Sequence, residues 1–393
     1  MSFSEIKAKY DANVIPTYAR QDVCFVRGSG SRLWDSEGKE YIDFASGIGV
    51  NSVGYAHPEW VATVAAQAGI LAHTSNLYYS EPGGELAQKL CELSGMKKVF
   101  FANSGAEANE GLIKLARKYS ANRYPGQNRQ TVVTLRRSFH GRTHTTLAAT
   151  GQDVFHQHFQ PLTSGFIHVE PGDFDALLKL PDDVCAIMIE PVQGEGGVFP
   201  CPIEYIRAVA SLCADKDWLF LMDEVQTGVG RCGSWFAYQS AGVRPDALSF
   251  AKGIAGGLPM GGFLISDKCE GVLNPGQHAT TFGGSPLVCS AALATIDILE
   301  KEIDKISVKG DYIRNKIEGF GLSTVRGTRG AGLMIGVSVD GDPKAWVKAL
   351  LAEGLVALTA GTDAVRMLPP LVITRGEIDA GLEIFQKVLQ RGI

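Results

Sequence analysis

From Val99 to Ile265, short apolar runs alternate with longer stretches of helical periodicity, and no other feature of the chain restricts its fold as strongly. Parallel strands cannot be joined by a tight turn and need a crossover long enough to hold a helix, so the alternation predicts βαβ units around a mainly parallel sheet. Candidate strands are Val99–Phe101, Thr131–Leu135, Phe166–Val169, Ala186–Ile189, Leu219–Met222, Ala247–Phe250 and Gly262–Ile265. After Asn103-Ser104-Gly105, the residues Leu112, Leu115, Ala116 and Tyr119 recur at the spacing of one helix face. Past Asn274 the texture changes: a long helical region from Leu287 to about Glu318 precedes a strand at Leu333–Val339, and a last helix carries Ile378, Leu382, Phe385 and Leu389 on one face. Near the start, Gly28-Ser29-Gly30, the strand-like Arg32-Leu33-Trp34, a turn at Asp35–Gly38 and Tyr41–Phe44 read as a hairpin arm outside the main sheet. The expected architecture is α/β: an arm over residues 1–50, a large ligand-binding domain over 51–274 with helices on both faces of its sheet, and an interface segment with a smaller α+β domain over 275–393.

Composition limits the partners. The chain of 393 residues, 45% hydrophobic and 20% charged with a net charge of −5, has no basic excess to hold nucleic acid or an acidic membrane surface. Small molecules and other subunits are the expected partners. Eight cysteines are scattered without a CxxC pair, which suits reduced thiols in a cytoplasm better than disulfides or a zinc site. The N-terminus has no apolar signal core, and no apolar run reaches the ~18 residues of a membrane span. A soluble, cytoplasmic protein is expected.

Chemistry gathers where the strands end. The run Leu219–Met222 stops at Asp223-Glu224, and the next run stops at Lys252. A carboxylate to hold a pyridine nitrogen protonated and an amine to form a Schiff base are what pyridoxal phosphate requires, and strand ends are where open α/β sheets bind ligands. The same pair also suits two ordinary βα loops, so the neighbouring motifs carry the decision. Asn103-Ser104-Gly105-Ala106-Glu107 leaves a strand and opens a helix, offering backbone N–H groups and the Ser104 hydroxyl to a phosphate, or simply a helix cap. No Walker A pattern occurs, which favours a single cofactor phosphate over a nucleoside triphosphate. Phe139-His140-Gly141-Arg142 supplies an aromatic face, a close-approach glycine and a guanidinium in one loop. Glu190-Pro191-Val192-Gln193-Gly194-Glu195-Gly196-Gly197 presents Glu195 from a glycine-rich loop. Polar groups at four strand ends together favour a cofactor site. His156 and His158 alternate as ligands on a strand do, but with no cysteine or acid pair nearby they read as surface or packing residues, and no metal is expected. His57-Pro58 reads as a helix-entry turn, and Tyr18 as a substrate contact or a packing residue.

These motifs, with Asp223-Glu224-Val225-Gln226-Thr227-Gly228 and Ala251-Lys252-Gly253, resemble the class III aminotransferases and occur in that family's order along almost the whole chain. Within the family, Arg32–Asp35, His73-Thr74-Ser75-Asn76 and Arg366–Val372 are most similar to acetylornithine aminotransferases, with ornithine aminotransferases next. The resemblance implies a fold type I, pyridoxal 5'-phosphate-dependent enzyme, active as a homodimer with sites at the subunit interface. It implies that Lys252 carries the cofactor, that Asp223 pairs with the pyridine nitrogen and Gln226 lies near the phenolic oxygen, and that Phe139 and Val225 sandwich the ring. Ser104, Gly105 and Ala106 would bind the phosphate, joined by Thr281 from the other subunit. Arg142 resembles the family's substrate-carboxylate arginine, Arg366 the one that takes glutamate's α-carboxylate, and Glu195 the gate that pairs with Arg366 when no α-carboxylate is there. Met367-Leu368 follows Arg366 where close relatives usually have Phe-Ala.

The implied reaction moves the δ-amine of N-acetylornithine to 2-oxoglutarate, giving N-acetylglutamate semialdehyde and glutamate, as in arginine biosynthesis. Ornithine, succinylornithine, succinyl-diaminopimelate and 4-aminobutyrate are alternative donors. An aminomutase or racemase needs no second substrate, so a paired Arg366 and Glu195 argue against it; a scaffold without turnover would not need the set of Lys252, Asp223 and Gln226.

Overall fold

The computed structural model describes residues 1–392. An N-terminal meander of β1 (Phe25–Ser29), β2 (Arg32–Asp35) and β3 (Glu40–Asp43) precedes the main sheet. That sheet is built from β4 (Lys98–Ala102), β5 (Thr131–Leu135), β6 (Phe166–Val169) and β7 (Val184–Ile189), then, after the small pair β8 (Val192–Gln193) and β9 (Phe199–Pro200), from β10 (Leu219–Asp223), β11 (Ala247–Phe250) and β12 (Gly261–Ile265). Its order is β4-β12-β11-β10-β7-β5-β6, and all seven expected strands are present. β12 runs antiparallel to both neighbours. Only ten residues, 251–260, separate it from β11, too few for a helical crossover.

The tail forms a second, antiparallel sheet of β13 (Val325–Ala331), β14 (Met334–Val339), β16 (Leu358–Ala360) and β17 (Ala364–Met367), in the order β13-β14-β17-β16. The short β15 (Leu355–Val356) leaves that sheet and pairs with β3, so the hairpin arm and the tail share a sheet. The long helical region is two helices, Pro286–Glu300 and Ile303–Gly319. The first is apolar around most of its surface and buried. The chain leaves it at Lys301-Glu302, where Glu302 gathers the amines of Lys305 and Lys309, each at 2.8 Å.

Alternation along the central strands explains why both faces of the sheet are covered. Phe220 and Met222 join the large core on one face with Ile187, Ile189, Leu248 and Phe250. Leu219 and Leu221 point to the other face, where Ala186 and Met188 meet Leu112, Leu115 and Ala116 of the helix Gly105–Arg123. At ~25 cal/mol per Å² of buried apolar surface, two buried faces hold these strands far more firmly than their propensity does.

Candidate active site

The same alternation aims the two acids at the end of β10 in opposite directions. Glu224 follows Phe220 and Met222 and turns away from the site: its carboxyl accepts from Tyr238 N–H at 2.8 Å and from Thr227 Oγ1 at 2.5 Å. Burial is the largest influence on it and lifts its pKa to about 7. Asp223 follows Leu219 and Leu221 onto the face of helix Gly105–Arg123 and is 3% exposed. Its Oδ2 accepts from Asn109 Nδ2 and pairs with His140 Nδ1, both at 2.7 Å, while Oδ1 accepts from Val225 N–H at 3.0 Å and Ser249 Oγ at 3.4 Å.

A cavity of about 410 Å³ opens above these strand ends. Lys252 enters it directly after β11, with a backbone φ of +43° that side chains other than glycine's rarely adopt. Some of its surface stays open to the cavity, but desolvation lowers its amine below the usual lysine range against the raising influence of Glu195 and Asp223. Ser104, Gly105 and Ala106 form one wall. The Ser104 hydroxyl accepts from Glu107 N–H at 3.2 Å, so the capping role is real. The N–H groups of Gly105 and Ala106 still have no acceptor among the described residues, at the positive end of a 19-residue helix. A Cβ on Gly105 would meet Val225 Cγ1 at 2.6 Å, so only glycine lets this helix end approach Val225. Phe139 and Val225 both line the cavity, and Phe139 is braced edge-on by Phe155 at 5.8 Å. Arg142 is exposed at the rim, its guanidinium 4.0 Å from the Phe155 ring centre and 5.4 Å from that of Phe139.

Behind the cavity, Arg366 on β17 faces Glu195 in the loop between β8 and β9. Arg366 Nη1 donates to Glu195 Oε1 at 2.6 Å and Nη2 to Oε2 at 3.3 Å. Gln226 joins them, accepting from Arg366 Nη1 at 3.1 Å and donating to Glu195 Oε1 at 3.3 Å. A Cβ on Gly194 would strike Gln226 Oε1 at 2.1 Å, which is why this loop can lie against Gln226. Burial raises the Glu195 carboxyl, yet the charge and hydrogen bonds of Arg366 outweigh it and leave the group lowered. Met367 and Leu368 are fully buried and do not line the cavity.

The structure thus brings together Ser104, Gly105, Ala106, Phe139, Arg142, Asp223, Val225, Gln226 and Lys252 around one space, with Glu195 and Arg366 beside it. Thr281 is exposed and lies outside this cavity. His57 is the residue before Pro58 at the start of a helix, and His156 Nε2 meets the Leu147 and Thr150 carbonyls at 2.9 and 2.8 Å, a packing role. No group of residues able to hold a metal occurs among those described, all eight cysteines are free, and no described helix is long and apolar enough to cross a membrane. Sequence reasoning assigned no task to Asn109, His140, Ser249 or Glu190. Asn109 is four residues after Gly105, on the turn facing the helix start, which is the one signal that pointed to it.

A flat, phosphate-bearing aldehyde fits this donor set: free N–H groups at a helix start, an aromatic face, a buried carboxylate and a desolvated amine. The class III aminotransferase family model matches residues 16–389. The chain is 48% identical to acetylornithine aminotransferase of Haemophilus ducreyi, over 99% of each chain, and 45% identical to that of Caldanaerobacter subterraneus subsp. tengcongensis, over 96% of this chain and 97% of the relative. Among solved structures it resembles ornithine aminotransferase of Toxoplasma gondii ME49 (TM-score 0.94, 30% identity, covering 100% of this chain and 96% of that one). It also resembles acetylornithine aminotransferase of Elizabethkingia anophelis (TM-score 0.88, 30% identity, all of both chains). Fold, cavity and sequence agree that the chain belongs to the class III aminotransferases, enzymes that depend on pyridoxal 5'-phosphate.

Proposed function

We propose that the protein transfers the δ-amine of N-acetylornithine to 2-oxoglutarate. The observation that carries this reading is the Glu195–Arg366 pair behind the cavity together with a second arginine, Arg142, at its rim. A donor whose reacting amine is far from its carboxylate and an acceptor whose carboxylate adjoins the reacting carbon need two anion-binding positions, one of which can be closed. Arg142 serves the distal carboxylate of either substrate. Arg366 takes the α-carboxylate of glutamate when Glu195 swings aside, and Glu195 neutralises it when the donor has none there. The names and 48% and 45% identities of the two relatives support the acetylated donor.

Bound pyridoxal phosphate supplies the electron sink. The chain does the rest. Lys252 would hold the cofactor covalently and, once released, would carry the proton that the reaction moves; its depressed amine is suited to that exchange near neutral pH. Asp223 would face the pyridine nitrogen, with Asn109, His140 and Ser249 fixing its direction. Gln226 would lie near the phenolic oxygen, Phe139 and Val225 would hold the ring between them, and Ser104, Gly105 and Ala106 would receive the phosphate. We assign Thr281 to the phosphate of a second copy, in a homodimer. Its exposure outside its own cavity supports this, as do the exposed apolar side chains of Phe282 (65%), next to it in sequence, and of Leu77 (87%), which follows the Asn76 whose Nδ2 donates to the Thr280 carbonyl at 3.2 Å. The eight free cysteines suit a reducing cytoplasm.

The test is a panel of amino donors with 2-oxoglutarate, comparing kcat/KM. N-acetylornithine should lead; a higher value for ornithine, succinylornithine or 4-aminobutyrate would reassign the substrate.

A further inference from the structure

One carboxyl in the cavity has no task in this scheme. Leu221 pairs with Met188 and Met222 with Ile189, so the next residues in register are Asp223 on β10 and Glu190 at the end of β7. They share a face of neighbouring strands, which lie ~4.8 Å apart. Glu190 is 5% exposed, lines the cavity and makes no salt bridge among the described residues. Its Oε2 accepts from Phe139 N–H at 3.0 Å. Oε1 has no protein partner among the described residues and is not sealed off, so it opens onto the cavity.

The surrounding charges leave no room for another anion. Around Glu190 stand Asp223 on β10, Glu195 between β8 and β9, Lys252 after β11, His140 after β5 and Cys201 after β9. Arg366 offsets the formal charge of Glu195, and burial lowers the amine of Lys252, so it gives Glu190 little to pair with. Arg142 keeps its charge at the exposed rim, and the Cys201 thiol, pushed up to about 12 mainly by burial, brings no charge. Burial first, and then the charge of Asp223, push the Glu190 carboxyl well above the usual range, against smaller pulls from Phe139 N–H and Lys252.

We propose that Glu190 stands in the working enzyme as a neutral carboxylic acid whose Oε1–H donates a hydrogen bond to an oxygen acceptor of the bound cofactor and substrate, while Oε2 fixes the loop carrying Phe139. It is a positioning residue that leaves Asp223 as the one negative group at that end of the cavity. The inference does not depend on which amine is the substrate.

Infrared difference spectra of the holoenzyme and Glu190→Gln, with pH titration of the bound cofactor's visible absorbance in both, decide it. The wild type should show a protonated-carboxyl C=O band at neutral pH that the variant lacks, and the titration midpoint should stay within a few tenths of a unit, one neutral donor replacing another. An ionised Glu190 would give no such band, and its loss would lower the midpoint by ~1–3 units; either result overturns the proposal. Glu190→Ala, which removes the donor, should move the midpoint where Gln does not. If Ala folds and matches Gln, the donor role is overturned; if Ala fails to fold, the infrared band and the Gln titration still decide.

Discussion

The floor of the cavity and the gate behind it both hold a carboxylate, and they hold it in opposite ways. Asp223 is gripped by partners from four places in the chain: Asn109 in a helix, His140 in a loop, Ser249 on the next strand and Val225 two residues on. It cannot move without leaving a buried charge unmatched, which is costly. Glu195 leans on the head of an arginine, and its side chain remains 29% exposed against 3% for Arg366. It can turn toward water and leave the arginine in place. A site that must fix one partner for many cycles and admit two others in turn separates those duties by depth of burial.

Lys252→Ala should have the largest effect. With covalent attachment and the proton carrier both gone, turnover should fall by at least ~10²–10⁴-fold while the fold persists. Single-turnover kinetics alongside the pH dependence of cofactor absorbance measure it, and near-normal values would show that another lysine does this work. Asp223→Asn tests the floor next. A carboxylate shifts a neighbouring cationic group by ~1–3 units, so its loss should slow proton abstraction by ~10–1000-fold with a smaller effect on cofactor affinity; a loss confined to affinity would reduce the floor to a mere anchor.

The gate should fail selectively. In Arg366→Ala the glutamate half-reaction loses charged hydrogen bonds worth ~1.5–3 kcal/mol, or ~10–150-fold, while the acylornithine half-reaction suffers far less. Arg142→Ala should impair both halves. Stopped-flow absorbance separates them, and equal losses in both halves for Arg366→Ala would end the idea of a switch.

The last effect, on stability and not on turnover, concerns the acid on the far side of the floor. Glu224 carries a raised pKa of about 7 when folded against 4.5 as its ordinary value. The unfolded chain therefore releases this proton first. The contribution is full below 4.5 and is lost as pH rises to about 7, amounting to up to ~3 kcal/mol. Glu224→Gln should flatten that part of the stability profile in denaturant melts at several pH values. A wild-type slope retained in the variant would assign the titration to another group.

Much of this was readable before any coordinates. The seven central strands are legible because a strand buried on both faces tends to be apolar throughout, as Ala186–Ile189 and Leu219–Met222 are. Family motifs single out Lys252, Glu195 and Arg366, which the fold brings together in and behind the cavity. What stayed hidden depends on distant parts of the chain meeting. The pairing of Leu355 with Ile42 leaves no trace in either segment's local pattern. Strands as short as β8 and β9 fall below any periodic signal. His140 looked like filler between Phe139 and Gly141, since its meaning comes from Asp223, 83 residues later. The same holds for Glu190, whose significance depends on strand register.

Lys252 also has a consequence for how such a chain ages. Its left-handed backbone suits glycine, and its amine is stripped of water, so folding by itself favours Lys252→Gly by roughly 1 kcal/mol or more. Without cofactor, the dead chain would melt above the living one. In any copy released from the need to turn over, nothing in the folding of this segment would favour keeping a lysine here.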